Sequence, residues 1–267
     1  MKKELHWIYG MALFLAMGIV FLALFAPWIA PYDPTAVSTE EILEGMSSSH
    51  WLGTDALGRD ILSRTIYGAR TSVAFAFVAA FCTMVLGLML GILSGYFGGW
   101  VDRGIQCLVA VFQGLPGMSL MIAIAAILPE NNFRLIIALT LTSWAGFSRI
   151  VRSEVIRIRG ELYMESIKNL GASHGYIVRK YVLPNVLPVV IVLLTLRIGT
   201  SLLSASALSY LGLGVSPPTA DWGVMISDAR TYFRSYPLMM IAPGTGITLF
   251  CLSINLLGDA MRERIRR

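Results

Sequence analysis

Tyr163–Pro184 reads YMESIKNLGASHGYIVRKYVLP. It is a charged, helix-forming stretch with one glycine turn, set between strongly apolar runs. Residues Arg152 to Lys180 alternate charged with apolar positions, which predicts short helices lying at a membrane surface with one face exposed. Gly171 is the residue able to take a positive φ, ending one short helix so that the next starts at a new angle. Pro184 lacks an amide proton, suits a first helical turn, and is expected to open the apolar run that follows.

Working outward, the chain is a membrane protein by composition. Of its 267 residues 56% are hydrophobic and 14% charged, and the mean hydropathy is +0.69. A soluble domain carries ~25% charged residues, so too few are present to cover a water-facing surface. Apolar runs long enough for ~30 Å of hydrocarbon fall near Trp7–Ile29, Thr71–Phe97, Gly104–Leu128, Leu135–Val151, Val186–Leu208 and Ile241–Leu257. Six spans in one all-α transmembrane domain covering residues 1–267 are expected, with a cytoplasmic loop at residues 152–185. The first run follows Lys2 and Lys3 but exceeds a signal-peptide core of ~7–15 residues and ends in Pro27, Trp28 and Tyr32, so it is read as a retained span.

Orientation follows from Lys and Arg beside the spans. With the N-terminus inside, fourteen of the 21 fall on the cytoplasmic side: Lys2, Lys3, Arg103, Arg149, Arg152, Arg157, Arg159, Lys168, Arg179, Lys180, Arg262, Arg264, Arg266 and Arg267. Six, namely Arg59, Arg64, Arg70, Arg134, Arg230 and Arg234, fall outside, and Arg197 lies within a span. Both termini are therefore expected in the cytoplasm. The net charge of +5 is mostly this topological signal and calls for no nucleic acid. Cys82, Cys107 and Cys251 are far apart and form no ligand pattern, and His6, His50 and His174 form no cluster, so no metal site and no catalytic residues are expected. No glycine is followed by lysine, so a phosphate-binding GxxxxGK[ST] loop is absent.

The central stretch resembles the cytoplasmic coupling loop of bacterial ABC importer permeases: Glu-Ala-Ala, three residues, Gly, nine residues, then Ile-x-Leu-Pro. Glu165, Gly171, Leu183 and Pro184 keep the spacing; Ser166 and Ile167 replace the alanines and Tyr181 the isoleucine. Two external segments resemble the dipeptide/oligopeptide/nickel permeases, specifically the second permease subunit of the pair. The first, HWLGTDALGRDILSRTIYGARTS, includes Trp51, Asp55, Arg59, Asp60 and Arg64; the second, ALSYLGLGVSPPTADWGVMISDAR, spans Ala207 to Arg230.

The resemblance implies a six-helix importer permease of the type I class in a bacterial cytoplasmic membrane. Its implied partners are a second, distinct permease, two ATP-binding subunits carrying ATP and Mg, and an external substrate-binding protein. It assigns ATPase coupling to Glu165, Gly171, Ala172, Leu183 and Pro184. Docking of the binding protein is expected at Trp51, Asp55, Arg59, Asp60 and Trp222, with Trp222 also anchoring its loop at the membrane interface. Opposite charges four to five residues apart among Asp55, Arg59, Asp60 and Arg64 predict a short interfacial helix with internal ion pairs. Glycines at 87, 91 and 95 are expected to pack helices closely in lipid.

Arg197 is read either as a pathway residue meeting substrate carboxylates or as a group paired with a carbonyl or a partner's acid. The family's Met-Arg, two residues, Asp pattern fails after Asp102, where Gln106, Cys107 and Ala110 stand. WGVMISDAR resembles the nickel-type members, and the cargo expectation leans slightly to a metal or metal chelate over a peptide. The rival reading is a self-contained secondary transporter or channel, which would need ionisable relays within the spans.

Overall fold

The computed structural model describes residues 2–131 and 133–265. Arg266 and Arg267, two charges in the orientation count, lie outside the described residues. Eleven helices are described: α1 (Lys2–Leu24), α2 (Ala26–Ile29), α3 (Ile61–Phe97), α4 (Gly99–Gly114), α5 (Gly117–Ile127), α6 (Phe133–Arg159), α7 (Leu162–Asn169), α8 (His174–Ile177), α9 (Leu183–Tyr210), α10 (Trp222–Ala229) and α11 (Leu238–Ile265). A single π turn, Val178–Val182, joins α8 to α9. There are no strands among the described residues, only an isolated bridge between Thr54 and Asp60.

Among the described residues five helices are long and apolar enough to cross a membrane, and a sixth crossing exists only if α4 and α5, bent by 94°, count as one. The expected continuous span Gly104–Leu128 is therefore corrected to two helices meeting at Leu115 and Pro116. Proline disfavours helix in the residue before it, and Leu115 is extended, with φ −90° and ψ 142°. Elsewhere the helices overrun their apolar windows. α3 begins ten residues before Thr71 and, at 37 residues, is ~55 Å long. Apolar windows measure only the hydrocarbon-facing part, whereas backbone hydrogen bonding carries a helix on into polar sequence. The first helix ends five residues before the expected Ile29, because it yields at Phe25 before Pro27 restarts it as α2.

The bundle is organised on α3 and α6, the most extensively packed pair. Gly87, Gly91 and Gly95 face Phe147, Val151 and Val155, and a Cβ at each glycine would stand 2.7–2.9 Å from them. The stripe packs helices, as its spacing predicts. Around this pair, α9 and α11 close a cluster with Trp222, Leu202 and Phe250 towards the loop end holding residues 31–60. A second cluster, holding Val151, Val155, Ile158, Met164 and Ile177, joins α6 to the loop after it.

Candidate functional site

The loop between α6 and α9 is built as its sequence predicts. Met164 on α7 and Ile177 on α8 are buried against Val155, Ile158 and Tyr96, with Ala172 and Leu183 packed at the edge. Burial of that face fixes α7 against the end of the bundle. Gly171 has φ 81° and its amide donates to the Lys168 carbonyl, closing α7. Ser173 then caps α8, its Oγ accepting from the Tyr176 amide at 3.4 Å. Pro184 sits in the first turn of α9 and is exposed.

What this leaves facing out includes large apolar side chains. Leu162 and Leu170, at either end of α7, are 83% and 87% exposed, with Glu165 exposed between them. Each leucine is an exposed apolar side chain in a basic loop, and its burial on a partner would be favourable. Sequence reasoning passed over both, although a leucine pair flanking the glutamate in a charged loop was the available signal.

A second arrangement missed from sequence ties this loop to α3. The Tyr96 hydroxyl lies 3.0 Å from His174 Nδ1, and Arg159 Nη1 donates to the Tyr96 carbonyl at 3.1 Å. The His174 ring packs on Phe97. Beneath them a cavity of about 260 Å³ is lined by Tyr96, Arg159, Glu165, Lys168 and His174 among others. These contacts tie α3, α6 and the loop together.

Just above, Arg152 on α6 donates from Nε and Nη2 to the two oxygens of Asp102 on α4, both at 2.6 Å. Ser94 Oγ also donates to Asp102, and Gln106 Nε2 donates to Ser94 Oγ at 3.1 Å. An Arg–Asp pair therefore exists between α4 and α6, made by other residues than the family pattern names. Gln106 belongs to it, while Cys107 and Ala110 are exposed.

The external residues are mostly internal to the fold. Arg59 Nε donates to Asp55 Oδ2 at 2.7 Å, and Arg64 Nε lies 3.3 Å from the same oxygen. The ion pair is present but the interfacial helix is not: residues 51–60 form turns at Gly53 and Gly58, with φ 79° and 71°, and helix begins only at Ile61. Asp60 explains this boundary, since its Oδ2 accepts from the Ser63 amide at 2.7 Å as the N-cap of α3, and a capping residue ends helix on its N-terminal side.

Asp60 Oδ1 also lies 2.9 Å from His50 Nδ1. Burial pushes the His50 imidazole down, but the Asp60 and Glu41 carboxylates outweigh it and hold the group above its ordinary value. Asp228 on α10 is raised, burial outweighing the pull of Arg59 and Arg64. Asp55, Arg59 and Asp60 are all buried; Trp51, at 70% exposure, faces out.

Trp222 does not anchor a loop at the membrane interface. It is 2% exposed, its Nε1 donates to the Thr65 carbonyl at 2.9 Å, and its ring fills the space left by Gly68 and Gly246. Asp221 beside it caps α10 and accepts from Ser72 Oγ at 2.7 Å, which is why the segment turns inward. Within the bundle, Arg197 Nη2 donates to the Ser143 carbonyl at 3.2 Å, and its Nε has no partner among the described residues.

A bundle with this coupling-type loop has known counterparts. Residues 87–267 match the family described as the binding-protein-dependent transport system inner membrane component. The chain belongs to that family. It is 37% identical over 265 residues to the dipeptide transport system permease protein DppC of Alkalihalophilus pseudofirmus, covering 99% of this chain and 86% of that one. It is 40% identical over 264 residues to the glutathione transport system permease protein GsiD of Escherichia coli O157:H7, covering 98% and 87%. Among solved structures, the inward-facing MetNI methionine ABC transporter superposes with a TM-score of 0.63 at 20% identity, covering 78% of this chain and 98% of that one. At that identity the likeness is one of fold: a type I ABC importer permease. As a family member the chain is a multi-pass membrane transport component that works with a further permease, ATPase subunits and a binding protein.

Proposed function

We propose that residues 1–267 form one permease domain, half of a pore in a bacterial cytoplasmic membrane, that imports di- or oligopeptides delivered by an external binding protein. A related but distinct permease completes the pore. Two ATP-binding subunits hold and hydrolyse ATP with Mg, and this chain performs no covalent chemistry. The observation that carries the reading is the α7 surface, where exposed Leu162 and Leu170 flank Glu165 on a loop packed into the α3–α6 pair. Closure of the ATPases pushes on Glu165, Gly171 and Ala172, with Leu183 and Pro184 passing the movement into α9. The bundle reorients, alternating access from one side to the other.

The names of the relatives, a dipeptide and a glutathione permease, support peptide cargo. The leaning toward a metal chelate rested on WGVMISDAR. That segment is α10, whose Trp222, Gly223, Met225 and Ala229 are buried in packing, so its resemblance carries no weight on cargo. The exposure of Trp51, 70%, supports docking of the binding protein at that loop. The test is ATPase activity of the complete complex in lipid, with the binding protein empty or loaded with a dipeptide. Loaded protein is expected to stimulate hydrolysis, and Glu165→Ala to abolish the stimulation while leaving transport-independent assembly of the bundle. Stimulation by a metal chelate and not by any peptide would refute the cargo assignment.

A further inference from the structure

The α4–α5 pair bends by 94° at Leu115 and Pro116. The depth of this break is set by its neighbours. Phe112, just before it, packs edge-on against Trp144 with ring centroids 5.4 Å apart. Gln113 Nε2 lies 3.7 Å from where a Cβ on Gly146 would stand. Both contacts fall inside the apolar run Leu135–Val151 of α6. α4 begins at Gly99 beside Asp102 and Arg103 and runs 16 residues, or ~24 Å, before breaking. The break therefore lies well inside the hydrocarbon layer.

At that depth an interrupted helix is expensive. The last carbonyls of α4 and the first amides of α5 lack intrahelical partners, Pro116 has no amide proton, and no side chain caps α5. Within lipid such groups are tolerated only where protein buries them or water reaches them. This chain does not bury them: Gln113, Gly114, Pro116, Gly117 and Ser119 are exposed, and nothing lies within 4 Å of a Cβ at Gly114 or Gly117. The far side of α5 is covered normally, through Met121 and Ala125. Arg197 reaches the same level of α6, bonding the Ser143 carbonyl one turn from Gly146, with its Nε unpartnered among the described residues.

We propose that the Gln113–Ser119 break, with Arg197, is a water-lined stretch of the translocation pathway at mid-depth, closed on its open side by the second permease. Its chemistry suits a peptide read by its backbone. The Gln113 amide and the free carbonyls and amides of the break match peptide N–H and C=O groups, and the Arg197 guanidinium matches a terminal carboxylate. Such a lining accepts peptides without regard to their side chains. This proposal rests on the importer reading above and adds the position and polarity of the pathway.

The test is thiol accessibility in the assembled four-component complex in lipid nanodiscs. Ser119→Cys and Gly114→Cys are each exposed to a charged methanethiosulfonate and, separately, to uncharged N-ethylmaleimide. Modification is read peptide by peptide by mass spectrometry, so Cys82, Cys107 and Cys251 stay in place. Phe81→Cys, on an exposed site in the middle of α3, is the control. A charged reagent is excluded from hydrocarbon by ~100-fold or more, so both break cysteines are expected to react with it far faster than the control does.

Protection of the break cysteines by binding protein loaded with a dipeptide, during ATP turnover, is the further expected result. Reaction with N-ethylmaleimide alone would place the break against lipid and overturn the proposal. Reaction with neither reagent would mean that the partner buries it, which overturns it equally. If binding protein still stimulates the ATPase in those cases, the importer reading stands and only the pathway assignment falls. If no ATPase subunit assembles with the chain, both fall.

Discussion

Replacing Gly91 by alanine tests the close contact between α3 and α6. A Cβ there would stand 2.7 Å from Val151 Cβ and Cγ1 and 2.8 Å from the Ser148 carbonyl oxygen. Ordinary contact begins at ~3.5 Å, so α3 and α6 must part by ~0.8 Å, enough to forfeit a quarter to a half of each dispersion contact along the seam. Overpacking of this kind costs ~1–3 kcal/mol. The upper part of that range applies because one of the clashing atoms is backbone and has no rotamer to escape into. Alanine returns up to ~1 kcal/mol of helix propensity, leaving a net loss of ~1–2 kcal/mol. For a chain of this size that is a fall of ~2–8 °C in the temperature at which half the complex is lost. The assay is heated size-exclusion chromatography of the complex, with Gly10→Ala as control, since nothing lies within 4 Å of a Cβ at Gly10. Gly10→Ala is expected to melt at or above wild type. If Gly91→Ala melts with it, the close α3–α6 seam is wrong.

Leu170→Asp removes an exposed side chain that supports no core, so stability should stay within ~0.5 kcal/mol of wild type, while co-purification of the ATPase subunits is lost; retention of both would exclude α7 as the docking surface. Trp222→Ala should destabilise by ~3–5 kcal/mol, read as loss of assembled complex on heating, because the ring is fully enclosed and Thr65 loses its donor. For His50 the folded value is raised, so its contribution is fully present below the unfolded value of ~6.5 and is lost as pH rises through the folded one. Melting temperatures measured from pH ~5 to ~8 should fall with rising pH more steeply for wild type than for His50→Gln, and parallel curves would remove the His50–Asp60 pair from the account.

Much of the architecture was legible because the bilayer imposes local rules. A lipid-crossing helix must be a long apolar run, so composition and windowed hydropathy located the crossing helices, though not their ends, which run on by up to ten residues in α3. A turn needing positive φ asks for glycine, and Gly171 has it; helices in close contact ask for small residues, and the stripe at 87, 91 and 95 of α3 packs against α6. The family was readable from the spacing of Glu165, Gly171, Leu183 and Pro184 for the same reason: short-range geometry is written in short-range sequence.

Tertiary structure decided what depends on partners far along the chain. Ser72 meets Asp221 across 149 residues and the Trp222 indole meets Thr65 across 157, so no window could tell that this tryptophan is core and not an interface anchor. Asp102 finds its arginine on α6, 50 residues away, whereas the family pattern's Arg–Asp pair would stand where Cys107 and Ala110 are. The break at Leu115 and Pro116 lies inside a run whose average hydropathy is that of an intact span. An apolar average is blind to direction, and only the packing of α4 and α5 on different levels of α6 turns the chain through 94°.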